Sequence, residues 1–212
     1  EARETIYSVL PYVDILFVSE ETSRKMMQRT GTLEEIMKGY CDEFGCKVVA
    51  TTRREVVSPT RHNFGSKIYY NGKFYEEPPY ENIEVVDRIG SGDAYVAGAL
   101  YGFLTTNDPQ TAVEYGNAMS AVKNTTYGDM PASSLEEINS VIKSHKSNGP
   151  QEEMSRKFNT QSKWPVYRLI TERIFIYTYY NYLLVFSYSK NAERNDLWCF
   201  WCCRLFFSAF LV

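Results

Sequence analysis

The stretch Asp87-Arg88-Ile89-Gly90-Ser91-Gly92-Asp93 decides the fold of this 212-residue chain, because it predicts a glycine turn between a strand and a helix. Ile83-Glu84-Val85-Val86 before it favours a short strand, and apolar residues recur with a helical period after Gly92. Glycine permits backbone conformations that other residues avoid and lets a ligand approach the main chain closely. The free amides of a helix start favour negative charge. The turn is therefore a candidate anion site.

Asp93 places a carboxylate in the first turn of the predicted helix, where the oxygens of a bound phosphate would also lie. A carboxylate there suits a general base that takes a proton from an attacking hydroxyl. The amides of Gly90, Ser91 and Gly92 would stabilise the charge on a phosphoryl group in transfer. These residue types indicate phosphoryl transfer; the alternative is a helix that follows a glycine turn and binds nothing.

The seven residues from Asp87 to Asp93 resemble the Asp-x-x-Gly-Ala-Gly-Asp motif of the ribokinase-like (PfkB) carbohydrate kinases. The resemblance implies an α/β fold, a three-layer α/β/α sandwich, with ATP and Mg²⁺ as cofactors and Asp93 as the catalytic base. Val86 to Gly90 and the continuation over 97–102 are most similar to 2-keto-3-deoxygluconate kinases, which implies that sugar acid as substrate and its 6-phosphate as product. Ribokinase or fructokinase activity is the alternative, as is a non-catalytic remnant that binds nucleotide.

The segment 115–122 and the turn 127–129 resemble the helix and glycine turn that hold adenine in this family. The resemblance implies that Asn117 contacts the purine and that Ala121 and Gly128 form the walls around it. Small residues at helical spacing also occur where two helices pack closely, and this alternative stays open.

Cys46 to Thr52 form another apolar pattern typical of a buried strand, and Arg53-Arg54 follow it directly. Ligands of open α/β sheets gather at the carboxyl ends of strands. The resemblance implies that Thr51 and Arg53 lie near the nucleotide phosphates, where Arg53 would neutralise charge in the transition state. The alternative is an exposed pair of arginines.

Ser19-Glu20-Glu21-Thr22 occupies the place of the family's Asn-x-x-Glu motif for magnesium, with Ser and Thr at the two motif positions. The resemblance implies that Glu20 or Glu21 holds Mg²⁺, through water. The alternative is an ordinary helix start, in which Ser19 is the N-cap. By resemblance, Asp87 and the backbone of its turn seat a monovalent cation such as K⁺.

Local signals elsewhere agree with an α/β layout. Thr32 to Glu35 and Ser134 to Glu137 have the spacing of capping boxes, and Asp108-Pro109 predicts a further helix start. Asn71-Gly72 between two strand-like runs predicts a tight hairpin. Because strands alternate with helices, we expect a mainly parallel sheet covered on both faces.

The chain divides into two parts by composition. Residues 1–152 match the carboxyl-terminal half of a kinase domain, and the resemblance implies a fold truncated at its amino terminus, without the half that selects the sugar. Residues 153–212 hold every tryptophan and three of the five cysteines, and they resemble nothing in the family. We expect this tail to be poorly ordered and aggregation-prone; we expect from it neither a membrane anchor nor a zinc site.

Overall composition excludes some classes of partner. The chain carries 23 basic and 26 acidic residues, a balance that argues against nucleic-acid binding. The scattered Cys41 and Cys46 are typical of a reducing compartment, and no signal peptide is visible. We therefore expect a cytoplasmic protein whose partners are a small sugar acid and ATP, with a homo-oligomer left open.

Overall fold

The computed structural model describes residues 2–131, 133–148 and 184–186. The helices are α1 (Ala2–Val9), α2 (Glu20–Lys25), α3 (Leu33–Phe44), α4 (Ser91–Thr106), α5 (Pro109–Asn124) and α6 (Leu135–Asn148), with a short 3₁₀ turn at Leu10–Tyr12. The strands are β1 (Ile15–Phe17), β2 (Val48–Ser58), β3 (Arg61–Tyr70), β4 (Lys73–Glu76), β5 (Tyr80–Glu84) and β6 (Leu184–Phe186). These elements confirm the α/β class.

The described strands form one sheet in the order β4-β3-β2-β1-β6. β5 pairs with the first half of β3, on the edge whose second half pairs with β4. Only β1 and β2 pair in parallel; the other described pairs are antiparallel. The expectation of a mainly parallel sheet is therefore wrong for this part of the chain. Two-residue turns join β2 to β3 and β3 to β4, and such turns make neighbouring strands antiparallel. At Asn71 and Gly72, φ is +48° and +78°, which confirms the predicted hairpin.

Helices cover both faces of the sheet. Successive side chains of a strand point to opposite faces, and β1 shows this alternation clearly. Ile15 and Phe17 join the core beneath α4, α5 and α6, whereas Leu16 and Val18 join the core beneath α1, α2 and α3. The result is the predicted three-layer α/β/α sandwich.

The second half of β2 projects beyond the core. Its first four residues are buried, and most of the residues from Arg53 to Ser58 are exposed. The strand continues because β3 pairs with it along nearly its whole length. The prediction that Arg53 and Arg54 follow the end of the strand is thus wrong, since both lie within it.

Side chains cap most of the helix starts, as predicted. Ser19 caps α2, Thr32 and Glu35 form a complete capping box on α3, and Asp108 caps α5. Ser134 and Glu137 make the same reciprocal pair of hydrogen bonds at the start of α6. The start of α4 differs, because Gly90 is its N-cap and no side chain caps it.

The expectations for the tail concern its tryptophans, its cysteines and its state of order. They fall almost wholly outside the described residues. From this region the structure describes 184–186, which pair antiparallel with β1. Among the helices that the structure describes, none has the length and apolarity needed to cross a bilayer.

Candidate active site

The turn before α4 is fixed to the end of α5. The amides of Val86 and Asp87 both donate to the carbonyl oxygen of Asn124, at 2.8 and 3.3 Å. The Asp87 carboxylate accepts from the amides of Ile89 (3.0 Å) and Gly128 (3.1 Å). These amide hydrogen bonds, that of Ile89 above all, lower the pKa of Asp87. Asp87 therefore joins its own turn to the turn that follows α5.

The two glycines of the turn have different surroundings. Gly90 has φ +79°, and a Cβ there would overlap the backbone carbonyl of Asp129. Gly92 has open space around the same position. The first glycine lets two segments of backbone touch, whereas the second leaves the mouth of the turn open to a ligand. The amide of Ser91, by contrast, donates within the turn to the carbonyl of Arg88 at 3.2 Å.

Asp93 lies in the first turn of α4 and is half-buried. Burial raises the pKa of its carboxyl, and the charge of nearby Asp129 raises it further. A raised pKa makes a carboxylate a stronger base, which suits the role predicted for Asp93. Desolvation, rather than a specific hydrogen bond, is the main cause.

Positive charge borders the same turn. Arg54 lies directly opposite Phe64 in the β2–β3 ladder and thus on the same face of the sheet. Phe64 packs against Tyr95 of α4, with ring centroids 6.0 Å apart, so Arg54 lies on the face that α4 covers. Partial loss of solvent, followed by the nearby guanidinium of Arg88, lowers the pKa of the largely exposed Arg54. Two guanidinium groups so close together favour an anion between them.

Thr51 and Arg53 lie on the other face of the sheet. Side chains alternate along β2, and Val49 belongs to the core beneath α2 and α3. Thr51 is buried on that side, and Arg53 is exposed. The structure therefore does not bring these two residues together with the glycine turn, and their predicted contact with phosphate stays a prediction.

Asn117 and Ala121 lie inside the protein rather than on a binding surface. Both are fully buried in α5, and Asn117 Nδ2 donates to Glu77 Oε1 at 2.8 Å. A Cβ added at Gly98 of α4 would overlap the backbone of Tyr115, so small residues here allow α4 and α5 to pack closely. Gly128, in contrast, lies at the turn beside Asp87. The purine contact of Asn117 stays a prediction.

The carboxylates predicted to hold Mg²⁺ have other partners. Glu20 pairs with Arg24 at 2.8 Å and Glu21 with Lys25 at 2.7 Å, each one helical turn away. Among the described residues, no group of three or more carboxylate, histidine or cysteine side chains could hold a metal ion. The contact of Glu20 or Glu21 with Mg²⁺ through water stays a prediction.

The carbonyl of Asp87, predicted to help seat a monovalent cation, already has a cationic partner. Lys123 Nζ donates to it at 3.2 Å and to the carbonyl of Thr126 at 3.1 Å. Sequence reasoning missed Lys123, Arg54 and Asp129. Of these three, only Arg54 could have been found from the sequence. Side chains alternate along β2, so a strand that continues past Thr52 places Arg54 and Arg53 on opposite faces of the sheet.

Comparison with known proteins shows the family to which the chain belongs. A family model described as pfkB family carbohydrate kinase matches residues 1–136. A 2-dehydro-3-deoxygalactonokinase of Haloferax volcanii is 30% identical over 143 residues, which are 68% of this chain and 42% of that protein. A 5-dehydro-2-deoxygluconokinase of Clostridium botulinum is 36% identical over 86 residues, 39% of this chain and 24% of that one.

Two solved structures share the fold. A 2-dehydro-3-deoxygluconokinase of Thermotoga maritima is 30% identical with a TM-score of 0.63, over 67% of this chain and 45% of that one. A putative ribokinase II of Escherichia coli, in complex with ATP and Mg²⁺, is 27% identical with a TM-score of 0.56, over 68% of this chain and 43% of that one. This chain thus spans less than half the length of these relatives. The match over 1–136, with the motif at Asp87 to Asp93, shows that the chain belongs to the pfkB family of carbohydrate kinases.

Proposed function

We propose that this chain serves the ATP-dependent phosphorylation of 2-keto-3-deoxygluconate to its 6-phosphate. The observation that carries the proposal is the position of Asp93, a half-buried carboxylate with a raised pKa in the first turn of an uncapped helix. The name of the Thermotoga maritima structure supports this acceptor. The Haloferax volcanii relative is named for the galactonate analogue, which is therefore the acceptor to compare first.

In the proposed reaction, the primary hydroxyl of the sugar acid attacks the terminal phosphorus of ATP. Asp93 takes the hydroxyl proton as the new oxygen–phosphorus bond forms and the bond to ADP breaks. The amides of Gly90 and Gly92 and the guanidinium of Arg54 stabilise charge on the phosphoryl oxygens. Ser91 contributes less, because its amide already has a partner in the turn.

Magnesium would neutralise charge on the phosphates of the nucleotide, whose oxygens are among its ligands in kinase sites together with several waters. The described carboxylates do not form a site of their own, so no proposed step depends on a metal held by the protein. A cytoplasmic location follows from the need for ATP and belongs to the same proposal.

A non-catalytic remnant that binds nucleotide is the second candidate function. The observation in its favour is that the carboxylates predicted to hold Mg²⁺, Glu20 and Glu21, pair with Arg24 and Lys25 instead. A ribokinase or fructokinase activity is the alternative within catalysis, and the ribokinase II structure of Escherichia coli supports testing ribose.

The test is phosphate transfer from ATP and Mg²⁺ by the purified full chain. The acceptors are 2-keto-3-deoxygluconate, 2-keto-3-deoxygalactonate, ribose and fructose. Asp93→Asn removes the base, and Asp42→Asn makes the same change at an exposed position on α3 as a control. We expect Asp93→Asn to lower kcat by about 10²–10⁴, the usual contribution of a general base, and Asp42→Asn to leave it unchanged.

Nucleotide binding separates the candidates. The melting temperature of each variant is measured with and without ATP and Mg²⁺. Stabilisation by ATP without transfer to any acceptor would favour the binding remnant. Transfer that survives Asp93→Asn would contradict the assigned base, and neither transfer nor stabilisation would contradict both candidates.

A further inference from the structure

Lys123 is a fully buried lysine in the last turn of α5. Its Nζ donates to two backbone carbonyls, that of Asp87 at 3.2 Å and that of Thr126 at 3.1 Å. Lysine is almost never fully buried unless its charge is paired or hydrogen-bonded. Stabilisation of the helix alone therefore does not explain why this ammonium is buried.

The two carbonyls belong to the two segments that build the candidate active site. Asp87 opens the glycine turn before α4, and Thr126 lies in the turn that follows α5. Burial lowers the pKa of Lys123, and the nearby carboxylates of Asp87 and Asp129 offset part of that shift. The ammonium thus lies between two turns that bring carbonyl oxygens and negative charge to one point.

Backbone carbonyls are the groups that replace the water around a bound K⁺ ion. A lysine ammonium carries the same single positive charge and reaches the same oxygens by hydrogen bonds. The backbone of the Asp87 turn is the place where the family resemblance implies a monovalent cation, and here the Asp87 carbonyl accepts from Lys123. The Lys123 ammonium therefore already supplies a positive charge at the carbonyl of Asp87.

We propose that the Lys123 ammonium takes the place of a bound monovalent cation and positions the glycine turn, so that the chain has no requirement for K⁺. Lys123 acts through the backbone of Asp87 and is a positioning residue. The part of the proposal that concerns ligand binding rests on the proposed function; the part that concerns cations does not.

The test is thermal unfolding in KCl, NaCl and tetramethylammonium chloride at one ionic strength. The variants are Lys123→Ala, Lys123→Met and, as a control, Lys143→Ala, which removes an exposed lysine of α6. We expect the wild type and Lys143→Ala to melt at the same temperature in all three salts. We expect Lys123→Ala to lose about 5 °C in tetramethylammonium chloride, as for a lost buried charged group, and to regain at least half of it in KCl.

The opposite results would overturn the proposal. A wild type that melts higher in KCl than in tetramethylammonium chloride would show a cation site that Lys123 does not fill. Variants that lose stability equally in every salt, or that fail to fold even in KCl, would show a structural role that no mobile cation replaces. Lys123→Met, which keeps most of the volume, separates loss of charge from loss of packing.

A second readout concerns the glycine turn. The stabilisation of each variant by ATP and Mg²⁺ is measured in the same salts. We expect Lys123→Ala to lose this stabilisation in tetramethylammonium chloride and to recover it in KCl; its persistence without K⁺ would overturn the positioning role. If the wild type gains no stability from ATP, the proposed function fails, and the salt series alone still decides the cation question.

Discussion

Helices α3 and α4 start in opposite ways, although each carries a carboxylate three residues after its N-cap. In α3, Thr32 Oγ1 accepts from the Glu35 amide at 3.2 Å, and the Glu35 carboxylate accepts from the Thr32 amide at 2.7 Å. In α4, Gly90 has no side chain to offer, and Asp93 makes no such return contact. The first arrangement closes the helix start with its own residues. The second leaves the helix start open for a ligand.

The difference shows how one local pattern serves two purposes. A capping box satisfies free amides and stabilises the fold. An uncapped start gives up that stability and keeps amides and a positive dipole end for an anion. At α4 the neighbouring turn after α5 supplies the support that a cap would otherwise give, through Asp87 and Gly128.

The largest expected effect is at Gly90, compared with Gly45 at the end of α3. Both glycines have nearly the same φ, +79° and +78°, but a Cβ at Gly45 meets nothing within 4 Å. Gly45→Ala should therefore cost only the left-handed backbone conformation, about 1–2 kcal/mol. Gly90→Ala adds an overlap with the carbonyl of Asp129 and should cost about 3 kcal/mol or more. Urea unfolding measures both, and equal losses would mean that the two turns do not touch in solution.

Replacing Arg54 should weaken nucleotide binding more than replacing Arg53. Arg54 lies on the face of the sheet that α4 covers, and Arg53 on the opposite face. We expect Arg54→Ala to weaken ATP binding by about tenfold, or about 1.4 kcal/mol, and Arg53→Ala to leave it nearly unchanged. Isothermal titration at fixed salt measures both. The reverse ranking would restore the role that the sequence predicts for Arg53.

Helix starts and hairpins could be predicted from sequence, because a few neighbouring residues determine them. The capping residues Thr32 and Ser134 and the turn at Asn71-Gly72 are all found where their local chemistry predicts them. The glycine turn and helix α4 follow from the motif instead, because the turn is also held by residues at and after the end of α5. Local hydrogen bonds satisfy the caps and the hairpin without help from distant residues.

Features that depend on distant partners could not be predicted. The length of β2, and with it the place of Arg53, depends on how far β3 pairs with it. A lysine near the end of a helix is ordinarily expected to be solvated and to interact with the helix dipole. Nothing in the sequence therefore indicates that Lys123 is buried. The engagement of Asn117 with Glu77 joins residues forty positions apart in the chain.

A cap variant tests the stabilising side of the comparison. Thr32→Ala removes one half of the capping box on α3 and should lower the free energy of unfolding by about 1 kcal/mol. Ser91→Ala removes a hydroxyl from the first turn of α4, where no side chain caps the helix, and should change it by less than about 0.5 kcal/mol. Urea unfolding compares them. A loss at Ser91 as large as that at Thr32 would mean that α4 is capped after all.

The smallest expected effect is the pH dependence of Asp93→Asn. Burial and Asp129 raise the folded-state pKa of Asp93 above the ordinary value of an aspartate, so the folded state holds this proton to higher pH than the unfolded state does. The wild type should therefore lose stability, relative to Asp93→Asn, as the pH rises from the unfolded pKa through the folded one. The difference should stay below about 1 kcal/mol, because solvent screens a half-exposed carboxyl.

Asp87→Asn should change the profile with the opposite sign, since hydrogen bonds lower the pKa of Asp87 and its contribution is lost as the pH falls. Urea unfolding between pH 3 and pH 8 measures all three proteins, and profiles of the same sign would show that the two carboxylates do not divide structural support and base chemistry between them.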